Sequence, residues 1–215
     1  VYHQENIYPE AGKRYVYVAN HPTGGPDGPL ILNLLLRHAG SAKILANDVL
    51  LNMKPMREVL VGIDLYGKKS RESAQKIDEM FQSDAQVLIF PAGLISRRHK
   101  GVVKDTEWKP FFIKQAIRHK RDVIPVHLSG EVSDFFYNFA NIRKKIGIKP
   151  NLELFYLPHE MFKKRNSHYD ISFGKPIPYT YLKEHKHHAG QLANQIRDFI
   201  YELGAGQSVS FRGIE

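Results

Sequence analysis

Tyr15-Val16-Tyr17-Val18-Ala19, followed by Asn20-His21-Pro22-Thr23-Gly24-Gly25-Pro26-Asp27-Gly28-Pro29, is the stretch that decides the fold of this 215-residue chain. Its first five residues are β-branched, aromatic or small and carry no charge, the composition of a strand buried on both faces. Gly-Pro punctuation then ends the strand and opens a loop. Asp27 and Pro29 read as a helix start, with Asp as N-cap and Pro in the first turn. The helix runs through Leu30 to His38 and stops at Gly40. Strand, glycine-rich loop and helix in that order are the opening unit of an α/β sheet.

The same alternation continues outward. Strands are expected at 42–46, 60–65, 86–90 and 122–127, and helices at 48–59 (interrupted by Pro55), 70–82, 109–119, 133–146 and 189–203. Two further strands, 152–156 and 169–173, have no long helix between them, which leaves room for an antiparallel part of the sheet. The expectation is a single α/β domain over residues 1–215, a sandwich of a mostly parallel central sheet with helices on both faces. No repeat, low-complexity linker or shift in composition marks a boundary.

Charge sets the class of partner. With 31 Lys and Arg against 22 Asp and Glu the net charge is +9, which favours an anionic surface or ligand. There is no cysteine, so disulfides, thiolate metal sites and cysteine nucleophiles are excluded. No apolar run approaches the ~20 residues that span a bilayer. The chain begins at Val1, and a preceding segment able to carry a membrane anchor is expected.

The chemistry is read from the loop. In open α/β sheets ligands bind beyond the carboxyl ends of the strands, which is where His21 falls. Histidine is the side chain suited to accept a proton near neutral pH, and a carboxylate on its other ring nitrogen fixes the tautomer and stabilises the imidazolium. Asp27 is the candidate partner, with two intervening glycines giving the backbone its slack. The plainer alternative makes Asp27 a helix cap and His21 a turn residue. Further along, Phe90-Pro91-Ala92-Gly93 ends a strand at a glycine that permits close approach to a ligand. Ser96, Arg97 and Arg98 then present donors beyond it, arginine offering the planar fork that suits phosphate or carboxylate.

These segments resemble, in order, the four sequence blocks of the phospholipid/glycerol acyltransferase family, the lysophosphatidic-acid-acyltransferase-like enzymes. The first block is Asn-His, four variable residues and Asp; here five residues separate His21 from Asp27. "NHPTGGPDG" is most similar to a bacterial hemolysin-like branch that includes aminolipid acyltransferases. Gly62-Ile63-Asp64, leading to Lys68, Lys69 and Arg71, stands at the second block, with Leu65 in place of its arginine. Phe90-Pro91-Ala92-Gly93 with Ser96-Arg97 stands at the third, with Ala92 in place of its glutamate. Val123-Ile124-Pro125-Val126 stands at the fourth.

The resemblance implies transfer of a fatty acyl group from acyl-CoA or acyl-acyl-carrier-protein to a hydroxyl of a glycerol-phosphate-type or lyso-aminolipid acceptor. His21 and Asp27 would be the catalytic pair. Substrate would be bound by Asn20, Gly24, Gly25, Lys68, Lys69, Arg71, Gly93, Ser96, Arg97 and Arg98, with loop amides at Gly24 and Gly25 as oxyanion donors. No metal or cofactor is implied; the thioester is a co-substrate. The missing block glutamate points away from plain lysophosphatidate and towards a carboxylate-bearing lyso-aminolipid. The expected setting is the cytoplasmic face of the cell membrane, bound peripherally to anionic lipid. The helix from Ser133 to Ile146 carries Phe135, Phe139, Ile142 and Ile146 at helical spacing and a basic end of Arg143, Lys144 and Lys145. That stripe either faces the core or lies on lipid.

Other readings have weaker footing. A basic module that binds nucleic acid or a membrane surface without catalysis would interleave its charges with exposed aromatics, and here they are spread along the chain. A serine hydrolase would carry Gly-x-Ser-x-Gly, which is absent. The run Lys183 to His188 (KEHKHH) lacks the organised spacing of a metal site.

Overall fold

The computed structural model describes residues 1–47, 57–63, 71–148 and 150–213. A six-stranded sheet has the order β3-β2-β4-β1-β7-β8, built from Leu60–Ile63 (β3), Ala42–Asn47 (β2), Gln86–Ile89 (β4), Tyr15–Ala19 (β1), Asp122–Leu128 (β7) and Ile171–Phe173 (β8). The first five run parallel and β8 is antiparallel to β7, so the sheet is mixed at one edge only.

β1 sits among the central strands and is buried at all five positions. Its pleat sends Val16 and Val18 to one face and Tyr15, Tyr17 and Ala19 to the other. On the first face lie α2 (Arg71–Gln82), α3 (Phe111–Arg118) and α7 (Ala189–Gly204), contributing Phe81, Phe112, Ile196 and Ile200 to one core. On the second lies α1 (Asp27–Ala39), whose Ile31, Leu32 and Leu35 close a separate core over Tyr17 and Ile44. Each helix turns one apolar stripe inward, which is why the 3.6-residue spacing located it. Gly40, at φ +74°, ends α1 in the left-handed conformation.

Three expectations change. First, 152–156 is a 3-10 turn leading into α5 (Leu157–Lys163), not a strand. Glu153 is buried there and engaged by Arg97 and Arg143, while Phe155 faces solvent. A buried, doubly paired carboxylate set that segment, and the antiparallel strand is β8 against β7. Second, Arg97–His99 (β5) and Val102–Lys104 (β6) form a hairpin that the sequence reading lacked. Lys100 and Gly101 both have positive φ, the backbone of a two-residue turn matched to strand twist. Third, α4 (Asp134–Lys145) buries Phe136, Tyr137, Ala140 and Arg143, so the stripe of Phe135, Ile142 and Ile146 points outward. Arg143 is therefore not part of an exposed basic end: it bonds Glu153, Asn151 and the Ile148 carbonyl. A short α6 (Tyr179–Glu184) precedes the histidine run. The helix expected at 48–59 lies largely outside the described residues, as does the end of the strand expected at 60–65.

Candidate active site

β1 delivers Asn20 and His21 beyond the carboxyl end of the sheet. Asn20 is buried, and its side-chain amide pairs with the main chain of Leu128 at the end of β7, donating to the carbonyl (2.9 Å) and accepting from the N–H (2.8 Å). Both ends of the amide are engaged, so Asn20 anchors the loop to β7. From that anchor the chain turns back so that His21 Nδ1 lies 2.8 Å from Asp27 Oδ2. The approach is off the axis of the ring N–H, making it a close contact, not a straight hydrogen bond.

Asp27 does not cap α1. It is the first helical residue, and its fully buried carboxylate turns back into the loop. Oδ2 accepts from the N–H of Thr23 and of Gly24, each at 3.0 Å, and Oδ1 accepts from the Thr23 hydroxyl. Those bonds hold the carboxylate in one orientation, and the helix N-terminus favours its charge. The His21 ring stacks on Phe90, with centroids 4.2 Å apart and planes at 23°. Nδ1 faces Asp27, which leaves Nε2 for a substrate hydroxyl; the side chain keeps 19% exposure.

A layer that the sequence reading missed lies behind the loop. Asp105, buried, accepts from the His21 N–H (3.2 Å), the Ser96 hydroxyl (2.5 Å) and the Trp108 indole N–H (2.9 Å). Its own N–H donates to the Tyr201 hydroxyl at 2.7 Å. Burial pushes the Asp105 carboxyl above its ordinary value, opposed by the bonds from Ser96 and Trp108. The only local signal was the Asp105-x-x-Trp108 pair; its partners lie far off in sequence.

The structure brings part of the expected set together. Ser96 donates its N–H to the His21 carbonyl at 2.8 Å and so braces the loop. Arg97, the next residue, donates to Glu153 through Nη2 at 2.7 Å, while its buried Nη1 has no hydrogen-bond partner. Burial draws this guanidinium below its ordinary value. Arg98 turns away and pairs with Glu131 and Asp134. The Gly24 N–H is spent on Asp27 and the Gly25 N–H on the Thr23 carbonyl, so neither is a free oxyanion donor. Gly24 adopts φ +81°, and a Cβ there would meet Ile95 at 2.6 Å; one at Gly25 would meet Met161. Gly93 closes a tight turn on the Phe90 carbonyl at φ +66°, and a Cβ there would meet open space. Arg71 is exposed at the start of α2, and Lys68 and Lys69 lie outside the described residues.

A sequence profile of the acyltransferase family matches residues 3–204. The chain belongs to the acyltransferase family. It is 45% identical over 190 residues to the lyso-glycine lipid O-acyltransferase of Bacteroides thetaiotaomicron, covering 88% of this chain and 70% of that protein. It is 42% identical over 200 residues to the lyso-glycine lipid O-acyltransferase of Phocaeicola vulgatus, covering 93% and 71%. Its fold is similar to the crystal structure of the 1-acyl-sn-glycerophosphate acyltransferase PlsC from Thermotoga maritima, with a TM-score of 0.54 at 18% identity, over 94% of this chain and 70% of that one.

Beside the His21 loop this acyltransferase has an open cleft of about 530 Å³, bordered by Asn20, Pro22, Ser96, Val103, His127 and Tyr201. That is within the range of small-molecule sites. Burial lowers His127 to about 4 and raises Tyr201, so both wall residues are neutral near pH 7. Among the described residues no helix is long and apolar enough to cross a membrane. Nor does any group of three or more His, Asp or Glu side chains there offer a metal site.

Proposed function

We propose that this acyltransferase moves a fatty acyl group from an acyl thioester to the hydroxyl of a lyso-aminolipid with a carboxylate head, with His21 as general base. The acceptor hydroxyl gives its proton to Nε2 as its oxygen bonds the thioester carbonyl carbon. The carbon–sulfur bond then breaks, and the thiolate recovers the proton from the imidazolium. Asp27 holds the ring and balances its charge. The observation that carries this reading is the 2.8 Å approach of Nδ1 to a fully buried carboxylate fixed by three loop donors.

Arg97 is the proposed anion contact for the acceptor. Two guanidiniums share the single carboxylate of Glu153, which leaves this cluster net positive, and Arg97 Nη1 is unspent. An arginine fork suits a carboxylate. Two relatives are named for lyso-glycine lipid, which favours that acceptor class over lysophosphatidate. The donor is acyl-CoA or acyl-acyl-carrier-protein, and both are made in the cytoplasm. The enzyme therefore works peripherally at the cytoplasmic face of the membrane, with residues 1–215 acting as one acyltransferase domain.

The test incubates the protein with lyso-glycine lipid or lysophosphatidate and with palmitoyl-CoA or palmitoyl-acyl-carrier-protein, followed by mass analysis of the products. A diacylated glycine lipid, lost in His21→Ala, is expected. Exclusive acylation of lysophosphatidate would overturn the acceptor, and near-normal turnover by His21→Ala would overturn the base.

A further inference from the structure

We infer that the segment Asp134–Lys163 is a docking face for an anionic lipid bilayer, laid directly over the catalytic loop. Among the described residues, eight of the twelve exposed large hydrophobics fall between 135 and 162. Phe155 is 86% exposed, Phe162 71%, Ile146 65% and Ile142 59%. Aromatic contacts join α4 to the turn that leads into α5. Phe135 on α4 stacks with Phe139 and meets Tyr156 at 4.8 Å; Tyr156 contacts His159, and Phe162 follows on α5. A patch of this kind on an otherwise polar protein marks an interaction site.

The charges around it choose the occupant. From 135 to 165 the only acids in the sequence are Glu153 and Glu160. Both are buried, Glu153 on Arg97 and Arg143, Glu160 on the N–H and hydroxyl of Ser133. Lys144, Lys145, Lys163 and Arg165 are all exposed. Apolar side chains ringed by cations, with Glu153 and Glu160 buried and the exposed Asp134 paired to Arg98, fit a bilayer carrying negative headgroups better than a second copy of this basic chain.

The inner face of the same segment touches the site. Leu157 lies over Gly24 and Met161 over Gly25. The lipid-facing surface is thus about one helix diameter, ~10 Å, from the His21 loop. This deepens the lipid-acceptor reading and rests on it for purpose: an acceptor could keep its chain in the bilayer while its hydroxyl reaches His21.

The experiment is co-sedimentation of the chain with vesicles of phosphatidylcholine alone or mixed with phosphatidylglycerol. Turnover is read in parallel on vesicle-borne and on short-chain, water-soluble lyso-glycine lipid. The wild type should bind the anionic vesicles and release with salt. The variants F155S/F162S and K144Q/K145Q/K163Q, with melting temperatures unchanged, should each lose about tenfold or more in binding, as expected if several apolar and cationic contacts contribute. Their turnover on the short-chain acceptor should be retained. Undiminished binding by either variant, equal binding to neutral vesicles, or no binding by the wild type would overturn the docking face. So would a concentration-dependent dimer in which F155S/F162S stays monomeric. Absent acyl transfer with binding intact and lost in the variants would strike only the catalytic reading and leave this inference standing.

Discussion

The loop from Asn20 to Asp27 and the segment from Asp134 to Lys163 touch at Gly24 and Gly25, yet they are held in opposite ways. In and behind the loop two buried carboxylates, Asp27 and Asp105, gather backbone and side-chain donors around His21. In the segment two buried carboxylates, Glu153 and Glu160, pin one side while the apolar side chains face out. The loop's polar groups are spent within it and on Leu128, Ser96 and Asp105, which fixes the setting of the proposed base. The segment's outer surface is unspent, which leaves it available to a partner. Precision in one region and adhesion in the other come from the same device, a buried acid.

The sharpest way to break the comparison is at the proposed base. His21→Ala should lower turnover by about 10²–10⁴ or more with the fold unchanged by circular dichroism, since proton transfer is its proposed contribution. Asp27→Asn should also be severe and should in addition lower the melting temperature, because the charged acceptor of three loop donors is lost. Wild-type behaviour in Asp27→Asn would return it to a structural role.

On the segment side, Glu153→Gln leaves Arg97 and Arg143 without their carboxylate in a buried setting. Breaking such a pair costs about 3–5 kcal/mol, to be read by urea denaturation. If stability is unchanged, the segment is held by its apolar contacts instead. Acid should act on the loop side through His127. Its value is depressed from 6.5 to about 4, so the unfolded chain binds the extra proton. Stability is then full above about 6.5 and falls as pH drops towards 4, by about 3 kcal/mol in all. His127→Gln should flatten that fall between pH 6.5 and 4, and a profile identical to wild type would remove His127 from the account.

The smallest effects separate two neighbouring arginines. Arg97→Ala should raise the acceptor KM, not the donor KM, by about 10- to 100-fold, the range of a charge-assisted hydrogen bond. Arg97→Lys should recover only part, because a point charge does not replace the fork. Arg98→Ala should change neither constant, since its guanidinium lies at the surface on Glu131 and Asp134. Equal effects at both positions would move the anion contact elsewhere.

The parallel strands and the helices that cover them were legible as sequence because apolar spacing along a strand or helix is a local property. The strand Tyr15–Ala19, the helix ended by Gly40 and the candidate pair His21–Asp27 all came from such signals. The five-residue spacing within the pair also fits a loop whose backbone turns at Gly24. What only the tertiary structure decided was the direction of side chains whose partners are remote. Asp27 looked like a helix cap until its carboxylate was seen to turn into the loop. Nothing local showed that the Asn20 amide is engaged by Leu128, 108 residues away. Arg143 looked like a surface cation, and 152–156 like a strand, until Glu153 met Arg143 and, 56 residues off in sequence, Arg97. Local composition fixes which residues can be buried, but a buried charge or amide must find its partner. That partner is chosen by the packing of distant segments, which no stretch of sequence records.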